Sequence, residues 1–221
     1  MNLTVIQQKE ICPTCNHSVD VICHESNARV CSFCQSILWN SSFAEPWKST
    51  SGNPLELISL LKIGSSIQCP LITGKIIGCI EWQLKNGPVV FWNIVDEENK
   101  LHYMSEDSGS FFLYKNVAKT YVLNQKFNSL KNGKPAVLII NNDYHTYLVR
   151  SLFVCNRYDV FGEVYYPVDT EPLVKHIVAY NEHGNSLLIL QFNKEKNQVW
   201  QGELLHLEVN FITHPNYTLI G

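Results

Sequence analysis

The sequence predicts a mainly β protein: an N-terminal four-cysteine zinc ribbon followed by an antiparallel barrel- or sandwich-like β domain. Three observations carry that prediction. Five of the eight cysteines fall between Cys12 and Cys34, and four of them form two C-x-x-C pairs. Beyond Gly64 the chain is a succession of runs rich in Val, Ile, Tyr, Phe and Trp, broken repeatedly by Asn, Gly and Lys turns. Strands never alternate with helical patterns, which excludes a doubly wound parallel sheet.

The ribbon is expected over residues 1–40. Cys12 and Cys15 form one pair and Cys31 and Cys34 the other, with fifteen residues between them. Four thiolates make a closed tetrahedral shell, which suits one structural Zn2+ and leaves no position for water. Iron also accepts four thiolates and stands second. A redox dithiol needs a single C-x-x-C opening a helix beside a strand, and that context is missing. Between the pairs, "SVDVIC", "HESN" and "ARV" read as one short hairpin. So small a segment lacks a core of its own, so metal binding would supply folding free energy on the order of 10 kcal/mol. Cys23 continues the face of Val19 and Val21, and His17 and His24 sit on the same loop. All three are left out of the ligand set.

Residues 41–60 read as a linker with a short helix. "WNSSFAEPWKSTSGNP" is rich in Ser, Asn, Gly and Pro and has no period. "PLELISLLKIG" carries a turn or two of helix that Gly64 ends. Trp39, Phe43 and Trp47 are apolar groups in polar surroundings and are candidates for contact with a partner.

The β-rich domain is expected over residues 61–221. Turns such as "KNGP", "EENK", "DSGS", "KNGKP", "EHGN" and "KEKN" recur at roughly the 8–12-residue spacing of an antiparallel meander. A Trp precedes polar residues in both "VVFWN" and "QVWQGE", and this faint parallel suggests two related β units divided near residues 131–134.

Several stretches carry a resemblance. "LKIGS" (Leu61–Ser65), "GKIIG", the run "LHYMSEDSGSFFL" after Trp92, "FGEVYYP" (Phe161–Pro167) and the closing "VAYNEHGNSLLILQFNKEKNQVWQGELL" together resemble the bacterial domain-of-unknown-function 4178 family, DUF4178. A zinc-ribbon-like cysteine pair ahead of the domain is common in that family. The family often places Gly after each C-x-x-C, where this chain has Asn16 and Gln35. The resemblance implies an accessory factor of a bacterial membrane-stress system, with no established reaction.

Composition narrows the function classes. A formal net charge of −3 without a dense Lys or Arg cluster argues against a surface that tracks a phosphate backbone. "MNLTVIQQKEI" lacks the basic start and apolar run of a secretory signal. No run reaches the roughly 18–20 apolar residues of a spanning helix. A cytoplasmic protein with a protein partner is therefore expected, reaching membranes only through that partner.

No catalytic residue is assigned, and a non-catalytic protein is expected. Glu163, after Gly162 in an apolar strand, is the carboxylate that a hydrolase-like alternative would use. The competing reading makes it a hydrogen-bond acceptor at a strand bend marked by Gly. Glu203 repeats the Gly-Glu step. His145, His176 and His206 read as strand packing residues. A nucleic-acid alternative would place Arg29 at the ribbon tip.

Overall fold

The structure, a computed structural model, describes residues 8–26, 28–39, 61–84, 87–107, 110–114, 122–123, 129–140, 142–165, 175–183, 185–191, 197–205 and 212–213. The expected linker and helix, with Phe43 and Trp47, lie almost entirely outside these residues. Only Leu61–Gly64 of that stretch is described, and it forms a turn.

The N-terminal module contains β1 (Gln8–Ile11), β2 (Ser18–Val21), β3 (Ala28–Val30) and β4 (Ile37–Trp39). β1 pairs with β2 and β3 with β4, both antiparallel. This corrects the expected hairpin between the two cysteine pairs, because β2 and β3 do not pair with each other. Each C-x-x-C is itself a hairpin turn, so the strands on either side of it become neighbours. The stretch between the pairs connects one hairpin to the next.

The body begins with a meander of β5 (Ser66–Cys69), β6 (Ile72–Leu84), β7 (Gly87–Asp96), β8 (Leu101–Asp107) and β9 (Ser110–Tyr114). It continues through β10 (Val122–Leu123), β11 (Pro135–Ile140), β12 (Asp143–Val164), β13 (Lys175–Tyr180), β14 (Ser186–Gln191) and β15 (Asn197–Leu205). A last short strand, β16 (Ile212–Thr213), pairs with β5. Every pairing is antiparallel, and no helix longer than a turn occurs among the described residues.

Two strands serve both parts of the body. β15 pairs with β14 through its first residues and with β9 through Glu203–Leu205. β12 pairs in turn with β11, β13, β6 and β3 along its 22 residues. The sheets face each other across a shared core, so the sandwich-like form of the expected fold describes the body. Trp200 on β15 meets Tyr103 on β8 edge-on at 5.7 Å between ring centroids, and Phe112 on β9 meets Tyr180 on β13 at 5.0 Å.

Alternation along β7 explains why "VVFWNIV" reads as an apolar run broken only by Asn93, itself buried and accepting the Tyr165 amide. Phe91 and Val95 enter the core that holds Trp200, while Val90, Trp92 and Ile94 enter a second core on the other face with Ile67, Ile76 and Met104. A strand buried on both faces has no polar positions to spare. The two tryptophans of the internal parallel thus lie in different cores. A third core gathers Ala136, Leu138, Tyr147 and Val149 with Ile177 and Val199.

The first core crosses the boundary expected between ribbon and domain. Cys23, Ala28 and Ile37 pack there with Ile77, Trp82 and Val160. At that junction β12 and β6 meet glycine to glycine, Gly162 opposite Gly78. Gly162 has φ of +69°, and a bulge interrupts the β6–β7 register between Ile76 and Gly78. A Cβ on Gly78 would lie 2.3 Å from the Glu163 carbonyl oxygen, whereas one on Gly133 would meet nothing within 4 Å. Gly78→Ala is expected to cost about 1–3 kcal/mol or more through forced backbone displacement. Gly133→Ala should cost only the left-handed penalty of about 1–2 kcal/mol. Urea unfolding of both variants measures the contrast, and equal losses would remove close approach as the reason for Gly78.

Candidate metal centre and its anchorage

The two C-x-x-C turns are built alike. The Cys12 amide donates to the His17 carbonyl at 2.9 Å and the Asn16 amide to the Cys12 carbonyl at 2.8 Å. In the second turn the Cys31 amide donates to the Ser36 carbonyl and the Gln35 amide to the Cys31 carbonyl, each at 2.9 Å. Asn16 and Gln35 both have φ of 60°. That conformation is one Asn tolerates and Gln adopts at a cost of about 1–2 kcal/mol. Both turns close although neither has the glycine the family resemblance calls for.

The matched turns bring four sulfurs together. The Sγ atoms of Cys12, Cys15, Cys31 and Cys34 all lie within 4.8 Å of one another. Cys12 and Cys34 are 3.6 Å apart, and Cys15 and Cys31 3.7 Å. A metal with bonds of about 2.3 Å to four tetrahedral thiolates sets neighbouring sulfurs about 3.8 Å apart. A disulfide needs about 2.05 Å, and all four cysteines are free. The arrangement is therefore a four-sulfur cluster that could hold a metal ion, and the four cysteines in it are the ones expected as ligands.

The surroundings tune the thiols unequally. The Ser36 hydroxyl, 3.3 Å from Cys34 Sγ, and the Ser36 amide hold the Cys34 thiol down to about 6. At Cys15 the His17 amide pulls downward, but burial and the sulfurs of Cys34, Cys12 and Cys31 outweigh it, pushing the thiol up to about 12. Metal binding displaces protons from such thiols.

His17 and Cys23 stand outside the cage, as expected. His17 stacks on Phe33 at 3.6 Å and 12° between ring planes, across the two turns. Cys23 is buried, but in the body core with Ile77 and Trp82, whereas Val19 packs beside the cysteine cluster, so the expected shared face does not form; burial raises its thiol. His24 is exposed.

Glu163 anchors this module to the body. β3 adds to the end of β12 with Arg29 opposite Glu163 and Ala28 opposite Val164. The Glu163 side chain is buried. One carboxylate oxygen accepts the Ile22 amide at 2.7 Å, and the other accepts the Cys23 amide at 2.8 Å and the Ser26 hydroxyl. Arg29 Nε lies 3.4 Å from the second oxygen. The acid is thus a hydrogen-bond acceptor at a glycine-marked bend, and its donors come from the ribbon loop.

Arg29 ties the anchorage together. Its Nη1 donates to Glu10 on β1 at 3.1 Å, and its Nη2 to the Cys23 carbonyl at 3.3 Å and the Ser26 hydroxyl at 3.2 Å. It is only 3% exposed, which overturns the reading of Arg29 as a ribbon-tip contact for nucleic acid.

A second clasp joins the ribbon to the β7–β8 turn. The Leu101 amide donates to Glu25 at 2.7 Å, and Cys23 Sγ to the Asn99 carbonyl at 3.5 Å. Asp96 shapes that turn by accepting the amides of Glu98 and Lys100, each at 2.9 Å, and meets His102 Nε2 at 2.7 Å. Partial burial raises the Asp96 carboxyl, but His102 and the two amides outweigh it and leave it below 3.8.

Ser26, Glu25 and His102 were not singled out from sequence. Ser26 and Glu25 meet partners 137 and 76 residues away, which no local pattern signals, and His102 meets Asp96 across the β7–β8 turn. Glu203 is exposed and His145 half-exposed. His206 and the side chain of His176 lie outside the described residues. A cavity of about 460 Å³ is lined by residues including His145, Glu182 and His183, and Glu163 is not among them.

Comparisons with protein-family models, curated proteins and solved structures found no match to the chain.

Two outcomes follow from this geometry. Glu163→Ala takes the buried partner from Arg29, which keeps only Glu10, and strands the Ile22 and Cys23 amides, so it should lower stability by about 3–5 kcal/mol in urea unfolding. A loss under about 1 kcal/mol, typical of an exposed ion pair, would mean that the anchorage is unimportant. In chelator-stripped protein, thiolate absorbance at 240 nm should rise first near pH 6 and again well above 9. Cys34→Ser should shrink the first rise, leaving the part due to Cys12, which is also lowered, and an unchanged rise would assign it to other thiols.

Proposed function

We propose that the protein is a non-catalytic, zinc-binding interaction protein of the cytoplasm whose partner is another protein. The four-sulfur cage supports this reading best. Its donors fit a structural zinc ion, and a closed shell leaves no site for a metal-bound water. The metal would hold the two C-x-x-C turns together, and Glu163 fastens the connecting loop to the body. Exposed Phe33 and Ile11 stand at the turns, 65% and 62% exposed, where apolar side chains can meet a partner.

On the resemblance to the DUF4178 family, we place the partner in a bacterial membrane-stress system. Among the described residues no helix is long and apolar enough to cross a membrane, and association with an envelope would run through that partner. The hydrolase-like alternative needs Glu163 free to act on a substrate, and its carboxylate is taken up by the ribbon amides and Ser26.

Elemental analysis of protein purified without added metal tests the premise. About one zinc per chain is expected, with none in Cys12→Ser/Cys34→Ser. Iron, or no metal, would overturn the structural-zinc reading. Quantitative cross-linking in the native host should then give one stoichiometric complex that the double variant weakens, and a chain that stays alone at native abundance would overturn the interaction reading.

A further inference from the structure

The β11–β12 hairpin is longer than its neighbour. β12 pairs with β11 from Asp143 onward, but with β13 only from Leu148, opposite Tyr180. The β13–β14 turn stops there because the Asn181 side chain accepts the His183 amide at 3.0 Å and the Asn185 amide at 2.9 Å, a tight Asx-type closure. Asp143–Thr146 therefore run past the end of β13 with one edge uncovered among the described residues, over about 14 Å at 3.4 Å per residue.

The direction of the backbone groups on that edge follows from the ladder. The Val149 amide donates to the Lys134 carbonyl, and the Val149 carbonyl accepts the Gly133 amide, so Val149 points both groups toward the β11 side. Antiparallel strands alternate that direction residue by residue, and the register from Asp143 to Leu148 is unbroken. The N–H and C=O of Tyr144 and Thr146 therefore point to the uncovered side.

We propose that this edge of β12 receives an extended, basic segment of a partner protein as an added strand. The inference rests on the interaction reading above and names the surface that would carry it. Natural sheets blunt free edges with proline, lysine or bulges. "DYHTY" carries no proline or lysine and shows no bulge. Tyr144 is 69% exposed and Leu148 45%, flanking exposed Thr146 on the outer face. Tyr144, Thr146 and Leu148 themselves line the 460 Å³ cavity, together with His145, Glu182 and His183.

That volume falls within the range of side-chain and ligand pockets. An added strand would place alternate side chains over Tyr144 and Leu148 and into the cavity. The acids at this end are Asp143 and Glu182, and the nearby cations among the described residues, Arg150 and Lys134, lie beyond Leu148, so lysine or arginine fits the part of the incoming segment over Asp143–Thr146. The Glu182–His183 pair is exposed and 3.6 Å apart, so it offers little resistance to exchange for a new cation.

The test uses the full chain, loaded with zinc, at about 0.15 M salt, where distant charges are screened. The probe is the peptide Val-Lys-Val-Lys-Val-Lys-Val, with Val-Lys-Val-Pro-Val-Lys-Val as the control that cannot complete a ladder. Saturable binding is expected for the first peptide, slowing hydrogen exchange at the Tyr144 and Thr146 amides about tenfold. Thr146→Pro removes one outward N–H at an edge position that tolerates proline and should weaken binding about tenfold. Thr146→Val should bind like the parent.

Equal binding of both peptides, or exchange unaffected at Tyr144 and Thr146, would overturn the proposal. So would a concentration-dependent dimer that Thr146→Pro dissolves, because a second copy would then own the edge. A host complex that survives Thr146→Pro would also overturn it while leaving the interaction reading intact. Loss of every host complex in the parent protein would sink that reading instead.

Discussion

A single carboxylate makes one structure out of what the chain writes as two. Glu163 sits at the end of the longest strand, buried, and receives two ribbon amides and a ribbon hydroxyl while Arg29 stands beside it. Burying an acid is costly unless its oxygens are satisfied. Here nearly every compensating group comes from more than 130 residues away in sequence. The ribbon loop cannot leave without stranding a charge, and the strand end cannot reshape without stranding the loop's amides. Gly162 and Gly78 are required by the same junction, since the backbones of β12 and β6 approach there more closely than side chains allow.

The metal cage and this anchorage depend on each other. Two C-x-x-C turns hold four sulfurs at the spacing a tetrahedral ion needs, and the loop between them carries the donors for Glu163. Cys23, Ala28 and Ile37 from that module fill part of the core that holds Trp82 and Trp200. Metal binding is folding free energy in a module this small, and a shared core passes that free energy to the sheets. The ribbon is thus a brace built into the body as well as a surface, and its exposed large apolar side chains stand in or beside the cysteine turns, Phe33 in the second and Ile11 at the end of β1.

How much was legible depended on the range of the interaction. The four ligands were readable because C-x-x-C is local: two residues of spacing decide the turn, and the turn decides where the sulfurs go. The β character was readable because alternation and turn residues act over a few positions. The pairing of the ribbon strands was misread, since "SVDV" and "ARV" look like the arms of one hairpin, yet each pairs across its own cysteine turn. Arg29 looked like a surface cation and is buried, because its partner Glu10 and the loop carbonyls come together only when the two hairpins fold on each other.

By itself the sequence determined which four cysteines come together, the antiparallel β class and the acceptor character of an acid placed after glycine in an apolar strand. These rest on local stereochemistry and on ligand spacing, which a short stretch of chain specifies. Tertiary structure decided which donors that acid accepts, that ribbon and body share one core, and which edge of β12 is uncovered among the described residues. Those are properties of strand length and register between segments far apart in the chain, and no window of sequence contains both sides of such a contact.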